Sequence, residues 1–258
     1  MKFVHKISQG SKFNQIYVPR EAEKEFEVGD LVEVKLLKKK IGLYYSQKSI
    51  ELSKFKGKLI NEIFAFLSEN KKIKQVFIFG SFLTKKIDYN DIDILVIAEK
   101  EDEIFEKRLY NDLIEEFNLK FHVIFIPESK LNNLLKINPL IRSMIYCCVS
   151  NKKMEALPEI EIDEKNIKFS LMLPKDVLDV DVNSRMLYDS LRRVLLIEFF
   201  IKKEDKSLFE LDQMIIISLG ENLYDTIRKD SIVSRFSQDK IKEIIREKIK
   251  FIENKLKK

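Results

Sequence analysis

The chain has 258 residues, of which 45% are hydrophobic and 34% charged; that is long enough for more than one core and too apolar for a disordered segment. No apolar run reaches the ~20 residues that a membrane helix needs, and residues 1–10 lack the apolar stretch of a secretory signal, so no membrane role and a cytoplasmic setting are expected. The net charge of +5 permits nucleic-acid contact without requiring it, and the adjacent Cys147 and Cys148 read as buried free thiols, since neighbouring cysteines rarely bridge and no other cysteine is available.

Three regions follow in order: a small β module at 1–47, a mixed region at 50–150 and a helical region at 158–258. In the first, apolar and polar residues alternate at Gln15, Ile16, Tyr17 and Val18, a strand ended by Pro19. A short charged turn and the Gly29-Asp30 pair lead to a second alternation from Leu31 to Val34. In the second region, Leu59, Ile60, Ile63, Phe64 and Leu67 fall at helical spacing within 52–70. A strand at 76–79, the Gly80-Ser81 turn and a strand at 92–97 come next. A helix at 101–117 then turns Ile104, Leu109, Leu113, Ile114 and Phe117 inward. A strand at 119–126 is stopped by Pro127, and Asn138-Pro139 opens another helix, with proline early where its missing N–H does no harm. In the third region, Met186, Leu187, Leu191, Val194, Leu195 and Phe199 form an apolar stripe on a helix at 184–201, followed by helices at 208–219 and 241–256. The expected architecture is an α/β (α+β) core with one sheet face covered by helices, a small β N-terminal module and an α-helical C-terminal domain.

The chemistry concentrates in VFIFGSFLTKKIDYNDIDILVI, residues 76–97. Strand side chains alternate, so Asp91 and Asp93 share one face while Ile92 and Ile94 take the other. Two neighbouring carboxylates repel each other unless a divalent cation lies between them. The amides of a Gly80-Ser81 turn opening a helical segment favour a phosphate. Together these point to chemistry on a nucleoside triphosphate.

The apolar-Gly-Ser motif, nine residues, then Asp-apolar-Asp-apolar resembles the signature of the polymerase-beta-like nucleotidyltransferase superfamily. FGS…NDIDILVI is especially similar to the minimal nucleotidyltransferases of prokaryotes. The resemblance implies that Gly80 and Ser81 bind the β- and γ-phosphates and that Asp91 and Asp93 are catalytic ligands of two Mg2+ ions. The implied substrate is an NTP, with ATP the first expectation. The implied reaction transfers a nucleoside monophosphate to an acceptor hydroxyl of a protein, an RNA or a small molecule and releases pyrophosphate. The alternative is a DNA-binding or regulatory protein whose nucleotidyltransferase domain senses nucleotide or is inactive.

That superfamily usually draws a third carboxylate from a neighbouring strand. The strand at 119–126 carries no acid; Lys120 and His122 share one face, Phe121 and Val123 the other. His122 is either a metal ligand or base, histidine being the residue type whose charge changes near neutral pH, or a structural residue. Glu128 is the second candidate for the missing acid, or else a solvated loop residue. Lys85 and Lys86 either add a cation beside the phosphates or are solvated.

The N-terminal segment, with its strand, Pro-basic-Glu, short helix, Gly-Asp and Val-Glu-Val, resembles the swapped-hairpin domains of AbrB/SpoVT type. That resemblance implies a homodimer and DNA contact through Lys6, Lys12 and Arg20; the alternative is a β appendage used for packing alone. Lys38, Lys39 and Lys40 read as a solvated connection or a phosphate patch. Arg185, Tyr188, Arg192 and Arg193 cluster on one helix, facing a nucleotide cleft or pairing with Asp181 or Asp189. A helical ribonuclease of the kind paired with minimal nucleotidyltransferases needs an Arg followed shortly by a His. The only histidines are His5 and His122, outside the helical region, so that site is absent.

Overall fold

The computed structural model describes residues 3–35, 41–47, 50–84, 89, 91–229 and 231–257, with Leu208 and Phe209 as backbone only. Lys38–Lys40, Lys85 and Lys86 lie outside the described residues. The chain divides into two units, Met1–Lys39 and Lys40–Lys258.

In the first unit, β1 (Ser8–Gln9) and β2 (Asn14–Gln15) pair antiparallel, and the Gly10 amide donates to the Phe13 carbonyl at 3.0 Å to close the turn between them. A 3-10 turn over Arg20–Ala22 follows Pro19. Residues 31–35, where alternation predicts a strand, have no ladder partner among the described residues. Alternation supplies an apolar face but not the second strand that its backbone groups require. Among the described residues of this unit Ala22 is the one hydrophobic residue that is buried, while Phe13, Val28 and Leu31 are exposed.

The second unit is built on a five-stranded sheet. Its strands are β3 (Tyr44–Tyr45), β4 (Ile73–Phe79), β5 (Ile92–Ala98), β6 (Phe121–Pro127) and β7 (Cys148–Ser150), in the order β3-β7-β4-β5-β6. All neighbours run antiparallel except β5 and β6, which are parallel and are joined by a helical crossover, as parallel neighbours require. Tyr44 and Tyr45 therefore serve the central sheet although they lie in the segment expected to be the N-terminal module.

Three helices of the core start where a side chain accepts their first amides. Ser53 caps α1 (Lys54–Ser68) and Asp102 caps α2 (Glu103–Phe117), which Asn118 ends in the left-handed conformation. Asn138 caps α4 (Pro139–Tyr146) with Pro139 in its first turn. Between β6 and α4 lies α3 (Glu128–Ile137), a helix in a stretch where the sequence predicts no element.

Helices cover both faces of the sheet, not one. Ile73, Val76, Ile78, Ile92, Ile94 and Val96 pack against α1 and α2 through residues such as Ile60, Phe64, Leu109 and Leu113. The alternate positions Phe77, Phe79, Leu95, Ile97 and Ile126 meet Leu135 of α3 and Ile145 of α4. Full burial of each such side chain contributes about 1.5–3 kcal/mol. The buried stripe of α2 runs Phe105, Leu109, Leu113; Ile104, expected inward, is 83% exposed because it stands one position out of that frame.

The C-terminal helices are α5 (Glu164–Ser170), α6 (Met172–Asp179), α7 (Ser184–Ile201), α8 (Leu208–Leu219), α9 (Glu221–Arg228) and α10 (Arg235–Leu256). They form a separate core around α7, whose Leu187, Leu191, Val194, Leu195 and Ile197 are buried. Met186, expected in that stripe, is 38% exposed. Leu140 of α4 packs against this core, and the Arg142 guanidinium binds Asp205 through Nε at 2.6 Å and Nη2 at 2.8 Å. Among the described residues no helix is long and apolar enough to cross a membrane.

Candidate active site

The site forms where β4 ends and β5 begins. Phe79, the last residue of β4, pairs with Asp93 on β5. The chain then turns at Gly80, whose φ of +80° opens a 3-10 turn over Gly80–Leu83. A side chain at Gly80 would strike the Asp93 carboxylate: a Cβ there would meet Oδ2 and lie 2.9 Å from Cγ. Glycine is required both by the left-handed backbone and by the closeness of the acid.

Two devices hold the turn. The Thr84 amide donates to the Ser81 carbonyl at 3.1 Å, and Thr84 Oγ1 donates to the same oxygen at 2.8 Å. From α1, the buried Lys56 ammonium donates to the Phe82 carbonyl at 2.9 Å and the Thr84 carbonyl at 2.8 Å, lying over the rings of Phe82 and Tyr89. Burial lowers the pKa of this lysine. Sequence reasoning missed it, although a signal was present: Lys56 precedes Leu59, Ile60 and Ile63 at the spacing of the buried stripe of α1. The Ser81 hydroxyl makes no hydrogen bond to a described residue, and the first amides of a helical turn have no partners within it.

Asp91 stands one residue before β5 and Asp93 one residue inside it. Asp93 has the parity of Leu95 and Ile97, so it belongs to the sheet face covered by α3 and α4. Burial pushes its carboxyl above the usual carboxylate range, and the charge of Asp91 adds to that. The His122 hydrogen bond and the charges of His122 and Arg192 oppose the shift without cancelling it.

β6 is the neighbouring strand that was expected to carry a third acid, and its register sets His122 directly beside Asp93. His122 Nδ1 lies 3.1 Å from Asp93 Oδ1, and the ring is 60% exposed against 20% for the aspartate. Lys120, just before β6, is exposed, and its carbonyl accepts from the Ile92 amide at 3.0 Å. Glu128 is not brought to the site. It opens α3 beyond the far end of β6, six residues past His122 and so roughly 20 Å away at the rise of a strand.

From the helical region, Arg185 takes Asp189, with Nε 3.3 Å from Oδ2. Arg193 also feels Asp189, though burial lowers its pKa. The Tyr188 hydroxyl donates to Asp212 at 2.7 Å. Arg192 alone of the four is felt at Asp93.

Residues 61–147 match the family model described as Polymerase beta, Nucleotidyltransferase. That span runs from within α1 to the end of α4 and contains Gly80, Ser81, Asp91, Asp93 and His122. No curated protein matches the chain.

Proposed function

We propose, from the premise that residues 61–147 are a nucleotidyltransferase domain of polymerase-beta type, that the chain binds a nucleoside triphosphate with magnesium and transfers its nucleoside monophosphate to an acceptor hydroxyl. The observation that carries the reading is the contact of the Asp93 carboxylate with the positive-φ Gly80, beside Asp91: a phosphate-favouring turn laid against an acid pair.

In this reading the Gly80-Ser81 amides and the Ser81 hydroxyl take the terminal phosphates, while Asp91 and Asp93 hold the metal. Carboxylate oxygens suit magnesium, which needs only one or two of them when phosphate oxygens complete its shell. Among the described residues no three His, Cys, Asp or Glu side chains gather to hold a metal by themselves; Asp91 and Asp93 would supply the protein's oxygens to it. The chemistry magnesium supplies there is neutralisation of phosphate charge and acidification of the acceptor hydroxyl.

The acceptor oxygen attacks the α-phosphorus as the bond to the β-bridging oxygen breaks, and pyrophosphate leaves with the electron pair. His122 is held by Asp93 through Nδ1, and its Nε2 has no partner among the described residues. That nitrogen receives the acceptor proton.

The test is transfer of label from ATP carrying an α-phosphate label, with magnesium, to protein, RNA or a small acceptor, compared with the Asp91→Asn/Asp93→Asn variant. Label that disappears in the variant is the expected result; undiminished label removes both residues from the role. A second reading rests on a specific observation, that β6 brings His122 instead of a carboxylate. It makes the domain a nucleotide sensor or an inactive relic in a regulatory protein, and magnesium-dependent binding without transfer to any acceptor favours it.

For residues 1–39 the proposed role is dimerisation, with DNA contact through the exposed Lys6, Lys12 and Arg20. The support is apolar surface that a single copy leaves open: Val28 and Leu31 are fully exposed and Phe13 is 78% exposed.

A further inference from the structure

Between the Gly80-Ser81 turn and the acid pair the chain makes an excursion, and both of its arms return to one side chain. Lys56 stands in the first turn of α1 and is 5% exposed. Its ammonium donates to the Phe82 carbonyl at 2.9 Å and the Thr84 carbonyl at 2.8 Å, at the end of the turn away from Gly80. It also lies 5.1 Å from the centre of the Phe82 ring and 5.5 Å from that of Tyr89. Those two rings meet edge to face, their centres 4.8 Å apart. Phe82 follows Ser81 directly, and Tyr89 precedes Asp91 by two residues. One ammonium thus bears on the arm that leaves the phosphate turn and on the arm that leads into the acids.

An ammonium is costly to bury unless its donors are bonded; carbonyl oxygens and ring faces meet that demand here. The Ser81 carbonyl is already taken by the Thr84 amide and hydroxyl. The carbonyls of Ser81, Phe82 and Thr84 are therefore all fixed to the protein, while the opening amides are the groups that a helical turn leaves without partners inside it. On its other flank the turn meets the Asp93 carboxylate at Gly80. Lys56 reaches the turn from a rigid element, since Ile60, Ile63, Phe64 and Leu67 anchor α1 in the core of the sheet. It also lies before the span that matches the nucleotidyltransferase family model.

Resting on the nucleotidyltransferase reading above, we propose that Lys56 is a positioning residue of the active site, which sets the spacing between the Gly80-Ser81 turn and the Asp91–Asp93 pair. It acts through the backbone of the turn and the Tyr89 ring, not by touching the nucleotide. The spacing it sets lets a phosphate on the turn and a metal on the acids meet, so each strengthens the binding of the other. Loss of the ammonium is a loss of that coupling.

The test is calorimetric titration of the full chain with ATP, once with magnesium and once with a chelator, well below the melting temperature of every variant so that folded chains are compared. The ratio of the two affinities reads the coupling, which a lysine that only stabilises the fold would not move. Lys56→Met keeps the apolar stem and removes the ammonium. It is expected to weaken magnesium-dependent ATP binding by roughly 10- to 100-fold, as for a small misplacement of a binding group, and magnesium-free binding by less. Lys56→Arg returns charge and donors and is expected to recover part of the loss. Glu198→Gln, which removes a buried charge at the distant contact of α7 with α10, is expected to keep the wild-type ratio. A wild-type ratio in Lys56→Met overturns the inference, as does an equal fall in Glu198→Gln, which would assign the effect to general destabilisation. If Asp91→Asn/Asp93→Asn lowers the ratio while Lys56→Met leaves it unchanged, only the Lys56 assignment falls. If magnesium does not strengthen ATP binding to the wild type, the nucleotidyltransferase reading falls and takes this one with it. Should Lys56→Met unfold, Tyr89→Leu takes its place, because it removes the ring on the acid arm and spares both carbonyl bonds. A lowered ratio in that variant supports the inference and an unchanged one overturns it.

Discussion

Gly80 carries two demands at once. Its φ of +80° costs a residue with a Cβ about 1–2 kcal/mol, and the space that Cβ needs is held by the Asp93 carboxylate. The neighbouring chain cannot give way easily, because Lys56 and Thr84 fasten the turn from the other side. Gly80→Ala is therefore expected to shift the carboxylate more than the backbone. Thermal denaturation should show a loss of a few kcal/mol or less, in keeping with one strained residue. Magnesium-dependent ATP binding, measured by calorimetry, should fall by roughly a hundredfold, since about 2.7 kcal/mol of misplaced ligand field gives that factor. Unchanged binding in a folded Gly80→Ala variant would show that the acid does not need its place against the turn. The motif was legible in the sequence because it is local: two residues at a turn and two acids where the next strand begins. Lys56 was harder to see, since a lysine on a buried helix stripe makes sense only once the carbonyls it caps are known.

At the scale of elements, what was legible followed period and punctuation. β5 and α2 are legible because apolar residues recur at strand and helical spacing between clear stops, and Asn138-Pro139 marks α4 by its capping chemistry. α3 is hidden because Glu128 follows Pro127 directly and the buried positions of the helix reduce to Leu135 with partial help from Leu131 and Leu134. β7 has three residues, too few to show alternation, and its pairing with β3 is about a hundred positions distant in sequence. Such contacts arise from tertiary packing, which a single-chain pattern does not encode. α7 carries a different kind of element-scale feature, a buried acid at its contact with α10. Glu198 receives Lys202 Nζ at 2.7 Å on Oε1 and has Lys248 Nζ at 2.8 Å from Oε2. Burial pushes its carboxyl up, but the two lysines outweigh that and leave the pKa below the ordinary glutamate value. A depressed folded pKa means stability that is present above the unfolded pKa and lost as pH falls through the folded one. Glu198→Gln should thus be less stable than wild type by about 2 kcal/mol at pH 7, and the gap should close as the pH falls below about 4. Urea denaturation at a series of pH values reads it; a gap that persists in acid would assign the effect to packing instead of charge.

At the scale of the whole molecule, the two units differ in how well each covers its own apolar surface. Lys40–Lys258 has cores on both sheet faces and around α7. Met1–Lys39 buries Ala22, pairs four residues as strands, and leaves Val4, Phe13, Val28, Leu31, Val32 and Val34 more than half exposed. The alternation at Leu31–Val34 predicts a strand, but those residues belong to no strand among the described residues. A unit of this size has too little interior to stabilise itself, and the proposed dimer would cover its remaining apolar face with a second copy of the same segment. A stable interface of this kind buries about 1,200–2,000 Å² in total, which two interleaved copies of a short β segment can reach. The cut that tests this belongs at residue 39, not 47, because Tyr44 and Tyr45 pair with β7 in the central sheet. Light scattering of the full chain is expected to give twice the mass of one copy. The chain lacking residues 1–39 is expected to give the mass of a single copy while keeping its magnesium-dependent ATP binding. A full chain that is already a single copy, or a shortened chain that remains paired, removes the N-terminal segment from the dimer contact. Where the shortened chain is a single copy but ATP binding falls with it, pairing also serves the nucleotide site, because no residue of the Gly80–Asp93 cradle has been deleted.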